Sequence, residues 1–288
     1  MILYIVILGS YSVEYFLLIL VVILFVLVIV MFKFNVNQFR NIRNYMHKNN
    51  TNTLLIQAKL SMLDNIYYFN NGIKFYLPFF PMDYISREIV TTNNFFEIAD
   101  LTILRAYIPE KAVILDIGAN IGNHSMYWAL QNNAEMIYSF EPQEHIFNIL
   151  QKNIEINNIK NIKAFNMALG KHSTKGAYTA GNYNNGGMGN FGGQEIIENA
   201  QGTVVIKSLD DVISGENISK IDFIKCDVEG FEFNVLLGAE KTLLKYKPLI
   251  FIEVFANNKD KVFEYLNNLG YAVIKTFDAS NYLFKNQN

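Results

Sequence analysis

Val113-Ile114-Leu115-Asp116-Ile117 runs directly into Gly118-Ala119-Asn120-Ile121-Gly122-Asn123. A short apolar stretch without polar alternation reads as a strand buried on both faces, and the glycine turn after it opens a helix. The same alternation continues downstream. It predicts strands at 112–117, 136–140, 162–167, 221–226 and 249–254, helices at 120–131, 143–157, 231–246 and 259–269, and closing strands at 271–276 and 282–284. Strands of this kind separated by helices give a doubly wound α/β sheet. Upstream, Ile73–Leu77 reads as a strand stopped by Pro78 and Pro81, and Phe95–Tyr107 as a helix closed by Pro109. Lys171–Gln201 reads as an irregular, glycine-rich insert near the carboxyl-end rim of the sheet, a position suited to a lid or an acceptor loop.

In a doubly wound sheet, ligands bind at the carboxyl ends of the strands near the point where strand order reverses. The turn here is D-x-G-x-N-x-G, with Asn120 where a dinucleotide loop would carry its middle glycine. An acid inside the loop repels a pyrophosphate and suits a ligand with a cationic amino group, such as the methionine part of S-adenosylmethionine. Glu141, 25 residues after Asp116 in Phe140-Glu141-Pro142, is placed to accept hydrogen bonds from two ribose hydroxyls. A nicotinamide enzyme is the weaker reading, because the third loop glycine is missing.

These residues resemble the FkbM-type methyltransferase family. The likeness spans roughly Ile73 to Phe284. It rests on Leu115-Asp116-Ile117-Gly118-Ala119-Asn120-Ile121-Gly122, Phe140-Glu141-Pro142, Ala168-Leu169-Gly170 and Pro248-Leu249-Ile250-Phe251-Ile252-Glu253. Its most specific part is Ile224-Lys225-Cys226-Asp227-Val228-Glu229-Gly230-Phe231-Glu232. Cys226 replaces the aliphatic residue usual before that Asp. The resemblance implies a Rossmann-like class I methyltransferase fold with a seven-stranded sheet, S-adenosylmethionine as cofactor, and O-methylation of a hydroxyl, often on a sugar or polyketide. By motif position, it implies that Asp116, Gly118, Asn120 and Gly122 line the methionine end, Glu141 holds the ribose, and Asn166 and Ala168 border the adenine, with Ala119 and Asn123 also expected to bind the cofactor.

Asp227 and Glu229 follow the fourth core strand, and Glu253 ends the next. Three carboxylates at adjacent strand ends form the expected catalytic cluster, with one member as base for the acceptor hydroxyl. A divalent ion between Asp227 and Glu253 is the alternative. Glu229 and Glu232 also suit the start of a helix, where negative charge is worth about 0.3–1 kcal/mol. His124 reads as packing beside the cofactor carboxylate, Trp128 as core, and Cys226 as a buried apolar residue.

Tyr15–Phe32 carries no charged side chain, and at about 1.5 Å per residue its 18 residues span roughly the hydrocarbon thickness of a bilayer. We expect a transmembrane anchor over 1–33, a stem over 34–71 that includes a helix around Leu54–Leu63, and a methyltransferase domain over 72–288. Lys33, Arg40, Arg43 and Lys48 follow the run and no basic residue precedes it, which orients the domain to the cytosol.

A net charge of −2 offers no basic field for a nucleic-acid backbone. One cysteine rules out an internal disulfide, and His47, His124, His145 and His172 show no metal-ligand spacing, so no metal is expected. The expected acceptor is a hydroxylated small molecule, glycan or lipid-linked compound. The competing functions are N- or protein methylation, and a catalytically silent interaction module on the same fold.

Overall fold

The computed structural model describes residues 52–179 and 192–288. The chain divides into two compact units, Met1–Ala58 and Lys59–Asn288. The apolar run Tyr15–Phe32 and the stem residues 34–51 lie outside the described residues. Among those described, no helix is long and apolar enough to cross a membrane. Helical backbone runs over 52–61 (α1), where the sequence reading expected a helix.

The second unit begins with two short antiparallel strands, β1 (Ile66–Tyr68) and β2 (Lys74–Tyr76). β1 lies before residue 72, inside the expected stem. Two helices follow, α2 (Tyr84–Thr92) and α3 (Ile98–Arg105). α2 is absent from the sequence reading. Asp83 caps it, its side chain accepting from the Ser86 N–H at 2.7 Å, and Ile85, Ile89 and Val90 form its buried face.

The main sheet is built from β3 (Val113–Ile117), β4 (Met136–Phe140), β5 (Ile162–Phe165), β10 (Phe223–Cys226), β11 (Leu249–Glu253), β12 (Tyr271–Thr276) and β13 (Asn281–Asn286). Its seven strands run in the order β12-β13-β11-β10-β3-β4-β5. The five central strands are parallel, and β13 pairs antiparallel with both β11 and β12. Every residue of β3 and β10 is buried, as strands without polar alternation require.

From β3 the chain moves outward through α4 (Asn123–Gln131) to β4, then through α5 (Glu144–Ile156) to β5. It then returns to β10 on the other side of β3, and continues through α7 (Glu232–Leu237) and α8 (Glu240–Tyr246) to β11 and through α9 (Lys259–Asn268) to β12. Right-handed crossovers therefore put the two groups of helices on opposite faces, and order reverses between β3 and β10. Leu115, Ile117, Phe140, Ile224, Ile250, Ile252, Val262, Leu266 and Phe284 belong to the shared core.

Two expectations are corrected. The helix expected over 231–246 is two helices, broken at Gly238. A Cβ there would lie 1.9 Å from the Gly170 carbonyl oxygen, and the Gly238 carbonyl accepts from the Asp210 N–H instead of continuing a helix. The insert expected to be irregular contributes β7 (Thr174–Tyr178) and β8 (Ile196–Glu198). These join β6 (Ala168–Leu169) and β9 (Val204–Lys207) in a second sheet of order β6-β9-β7-β8. The segment after β9 folds as α6 (Leu209–Gly215), capped by Ser208. Ala168, Ile196, Val204, Ile206 and Phe231 form the core of this sheet.

Candidate active site

A cavity of about 330 Å³ opens at the carboxyl ends of β3, β4, β10 and β11, the place where doubly wound sheets bind ligands. On one side its wall is Gly118, Ala119, Asn120, Asn123, Glu141, Gln143 and Ala168; on the other it is Asp227, Glu229, Glu253 and Phe255. Lys225 lies between the two sides.

The turn after β3 is pinned from three directions. The N–H groups of Gly118 and Ala119 both donate to the Phe140 carbonyl, at 3.0 and 2.9 Å. Asn153 on α5 donates from Nδ2 to the Ile121 carbonyl at 2.9 Å. Gly118, at φ +78°, has no room for a side chain, because a Cβ would lie 1.8 Å from the Asp227 carbonyl oxygen. The backbones after β3 and β10 therefore meet at this glycine.

Glu141 is buried at the end of β4. Its Oε2 accepts from the Asn120 N–H and its Oε1 from the Gln143 N–H, both at 2.9 Å. Burial pushes its carboxyl up to about 7, against the opposing pull of those two N–H groups and of Lys225. Gln143 beside it donates to the Gly192 carbonyl at 2.5 Å, and its buried Oε1 has no hydrogen-bond partner among the described residues.

Three residues expected on the cofactor side stand off this wall. Asp116 is fully buried: its Oδ2 accepts from Ser125 Oγ at 2.5 Å and its Oδ1 lies 3.5 Å from Lys225 Nζ. It leaves β3 on the face covered by α4, which carries Ser125. Gly122 faces α5, where a Cβ would meet Leu150 Cδ1 at 2.5 Å. Asn166 donates to the carbonyls of Glu141 and Pro142 at 2.9 and 3.0 Å, tying β5 to the end of β4. Asn123 does line the cavity, but its amide is engaged in a two-way bond with the Phe96 backbone, accepting at 2.9 Å and donating at 3.0 Å.

The carboxylates of the other side are brought together. Asp227 hydrogen-bonds Glu253, and Asp227 Oδ2 lies 3.4 Å from Lys225 Nζ. Burial works against ionisation of Asp227, but Lys225 and the bond from Glu253 outweigh it and hold the group below the usual range. Burial and the Asp227 charge push Glu253 up to about 8. The two groups therefore titrate as a pair, Lys225 favouring the charge on Asp227 and that charge favouring the proton on Glu253. Glu229, at φ +54°, lines the same wall and is raised by burial and by Asp227.

Glu232 is fully buried and accepts from the Val228 and Gly230 N–H groups at 3.2 and 2.9 Å. It fixes the turn that presents Asp227 and Glu229. His124 Nε2 lies 3.3 Å from Glu97 Oε2 at the cavity edge, while Trp128 and Cys226 are core. Among the described residues, no group of three or more His, Cys, Asp or Glu side chains is arranged to hold a metal.

The sequence reading did not single out Lys225, Gln143, Phe231 and Phe255, or Tyr84, Ile85, Phe96 and Glu97, all of which line the cavity. A lysine inside an otherwise apolar strand next to Asp227 was a usable signal for the first of them. The others are ordinary apolar or polar residues that only the fold brings to this rim.

The methyltransferase FkbM domain matches residues 116–273, over half of the chain, including both sides of the cavity. The chain belongs to the FkbM methyltransferase family. Two further methyltransferases are similar to it. Methyltransferase 1 of Beauveria bassiana is 29% identical over 153 residues, covering 47% of this chain and 61% of that protein. Methyltransferase sdnD of Sordaria araneosa is 26% identical over 186 residues, covering 55% and 69%. The chain thus spans less than two thirds of the first relative's length. Among solved structures, the methyltransferase FkbM from Methylobacillus flagellatus KT is 16% identical, with a TM-score of 0.44, covering 70% of this chain and 55% of that one.

Proposed function

We propose that the chain is an S-adenosylmethionine-dependent O-methyltransferase acting on a hydroxyl of a glycan, glycolipid or other small acceptor. The observation that carries this reading is the meeting of Asp227 and Glu253 on one wall of the cavity, across from the buried Glu141 at the end of β4.

The residues present fit the donor. Glu141 is a buried carboxylate on the wall, the partner a ribose diol needs, and Gln143 Oε1 is a buried acceptor without a hydrogen-bond partner among the described residues. The Gly118 turn brings bare backbone to the same wall. S-adenosylmethionine supplies, when bound, a methyl group on a sulfonium that an acceptor oxygen displaces. Glu141, Gln143 and the 118–120 backbone would hold it. The acceptor hydroxyl donates to Glu253 in its deprotonated form beside Asp227, and this alignment supplies much of the barrier reduction. Glu253, once deprotonated, takes the hydroxyl proton; a carboxyl near neutrality suits that task. The acidic rim and the −2 net charge favour a neutral acceptor over a nucleic acid. The Tyr15–Phe32 run alone supports a single-pass membrane anchor, with the catalytic domain on the cytosolic side.

The test is incubation of the full chain, in detergent micelles, with tritiated methyl donor and separate lipid, glycan, protein and RNA extracts. Label released by acid from the glycan or lipid fraction as an O-methyl sugar or ether is the expected outcome. Label confined to protein or RNA would overturn the acceptor class, and tight donor binding without turnover on any pool would overturn the enzyme.

A further inference from the structure

Lys225 is a cation inside a parallel sheet, on β10, beside Asp116 on β3 in the strand register. It is buried to 3% exposure. Its Nζ donates to the Gly118 carbonyl at 2.6 Å and faces Asp116 Oδ1 at 3.5 Å and Asp227 Oδ2 at 3.4 Å. A charge so placed persists only when paired, and here it is paired twice. Asp116 is closed off from the cavity and held by Ser125, so it acts as the fixed counter-ion. The other two contacts lead to different sides of the cavity: Gly118 to the donor side, Asp227 to the acceptor side.

We propose that Lys225 is a positioning residue of methyl transfer, its single ammonium clamping the Gly118 turn of the donor side to the Asp227 carboxylate of the acceptor side. The inference rests on the methyltransferase reading for its purpose, but its test does not need turnover. The clamp sets the distance between the two sides, because the Gly118 and Asp227 backbones already touch and Lys225 bonds across that seam. It also fixes where the shared proton resides. Lys225 itself is raised above the ordinary lysine range, burial being outweighed by Asp227 and Asp116, so it stays charged throughout. The groups that act on the Asp227–Glu253 pair are Lys225 within the sheet, Glu229 and Glu232 from the turn before α7, and His124 from α4, while Asp116 and Glu97 act on Lys225. Of these, Lys225 is the nearest cation.

The test is a carbon-13 carboxyl titration of the full chain without donor, with the Glu253 signal assigned by Glu253→Gln. Lys225→Met should raise the midpoint of the pair by at least about one unit, since it removes an opposite charge within 4 Å. Lys225→Arg should leave it within about 0.3 unit. Asp116→Asn should lower it, because Lys225 then serves Asp227 alone. Calorimetry with S-adenosylhomocysteine should show weakened binding in Lys225→Met as the Gly118 turn loosens. A Lys225→Met protein with a native melt and an unmoved midpoint would overturn the proposal. If Lys225→Met does not fold, a downward shift in Asp116→Asn supports the clamp, and no shift or an upward one overturns it. Absence of turnover in the parent chain, by contrast, would strike the enzyme reading and leave these shifts as they are.

Discussion

Two carboxyl groups at strand ends face one cavity and are held in opposite ways. Glu141, at the end of β4, receives two backbone N–H bonds and is buried. Glu253, at the end of β11, receives a weak contact from Ser280 Oγ at 3.4 Å and shares its proton with Asp227. Backbone donors fix the first group in place and shape it as an acceptor. A neighbouring negative charge raises the second group's affinity for a proton. The family's two recognisable ends thus differ in physics before any ligand arrives, and the difference matches two tasks: holding a diol and moving a proton.

The largest expected effect comes from destroying the seam between them. Gly118→Ala puts a Cβ onto the Asp227 carbonyl at a positive φ. Overpacking and left-handed strain together should cost about 2–5 kcal/mol and abolish donor binding, measured by thermal melts and calorimetry. A variant that binds donor normally would show that the two sides are not in contact in solution. Next in size, Glu253→Gln should lower turnover by about 10²–10⁴-fold and leave donor affinity within about twofold, whereas Glu141→Gln should weaken donor binding by roughly 10–100-fold, the worth of a charged hydrogen bond, with little change in turnover at saturating donor. Swapped phenotypes in isothermal calorimetry and steady-state kinetics would dissolve the contrast.

The same contrast governs what was legible in the sequence. β3, its turn and Glu141 could be read residue by residue, because backbone chemistry dictates their types: an apolar strand, glycines where chains touch, an acid at a fixed strand end. Strands β4, β10 and β11 came out nearly to the residue, since burial on both faces leaves a continuous apolar run. The burial of Asp116 against Ser125 was not legible, because its position in the motif says nothing about which way its side chain turns. Lys225 was passed over because a buried lysine becomes intelligible only beside the two acids that β3 and its own strand supply. The second sheet was also missed. Val204–Lys207 alternates buried and exposed residues but is only four residues long, and its partner β7 carries a glycine and two polar residues. α2 was hidden by its short length, although Asp83 and Ser86 spell its cap.

The smallest and most discriminating effect is the separation of two pH dependences. Burial raises Glu141 to about 7, and only its ionised form accepts two ribose hydroxyls. Donor affinity should therefore be flat above about pH 7 and fall toward tenfold per unit below it. Burial and Asp227 raise Glu253 to about 8, and only its ionised form is a base. Turnover at saturating donor should therefore rise up to about pH 8 and level off, an apparent value that belongs to the Asp227–Glu253 pair. Between the two values the enzyme binds donor fully and turns over partially. Stability carries the same sign for both groups. Each has a folded value above its ordinary 4.5, so the folded chain holds more protons than the unfolded one from about 4.5 to about 7 or 8, and their contribution fades as pH rises through that window. Asp227, held low, contributes the reverse, its stabilisation being lost as pH falls through its folded value. Glu141→Gln should erase the limb near 7 in binding and leave the limb near 8 in turnover; Glu253→Gln should do the opposite. One limb shared by both measurements, or a limb that neither variant moves, would mean that the two acids do not divide the work as their surroundings dictate.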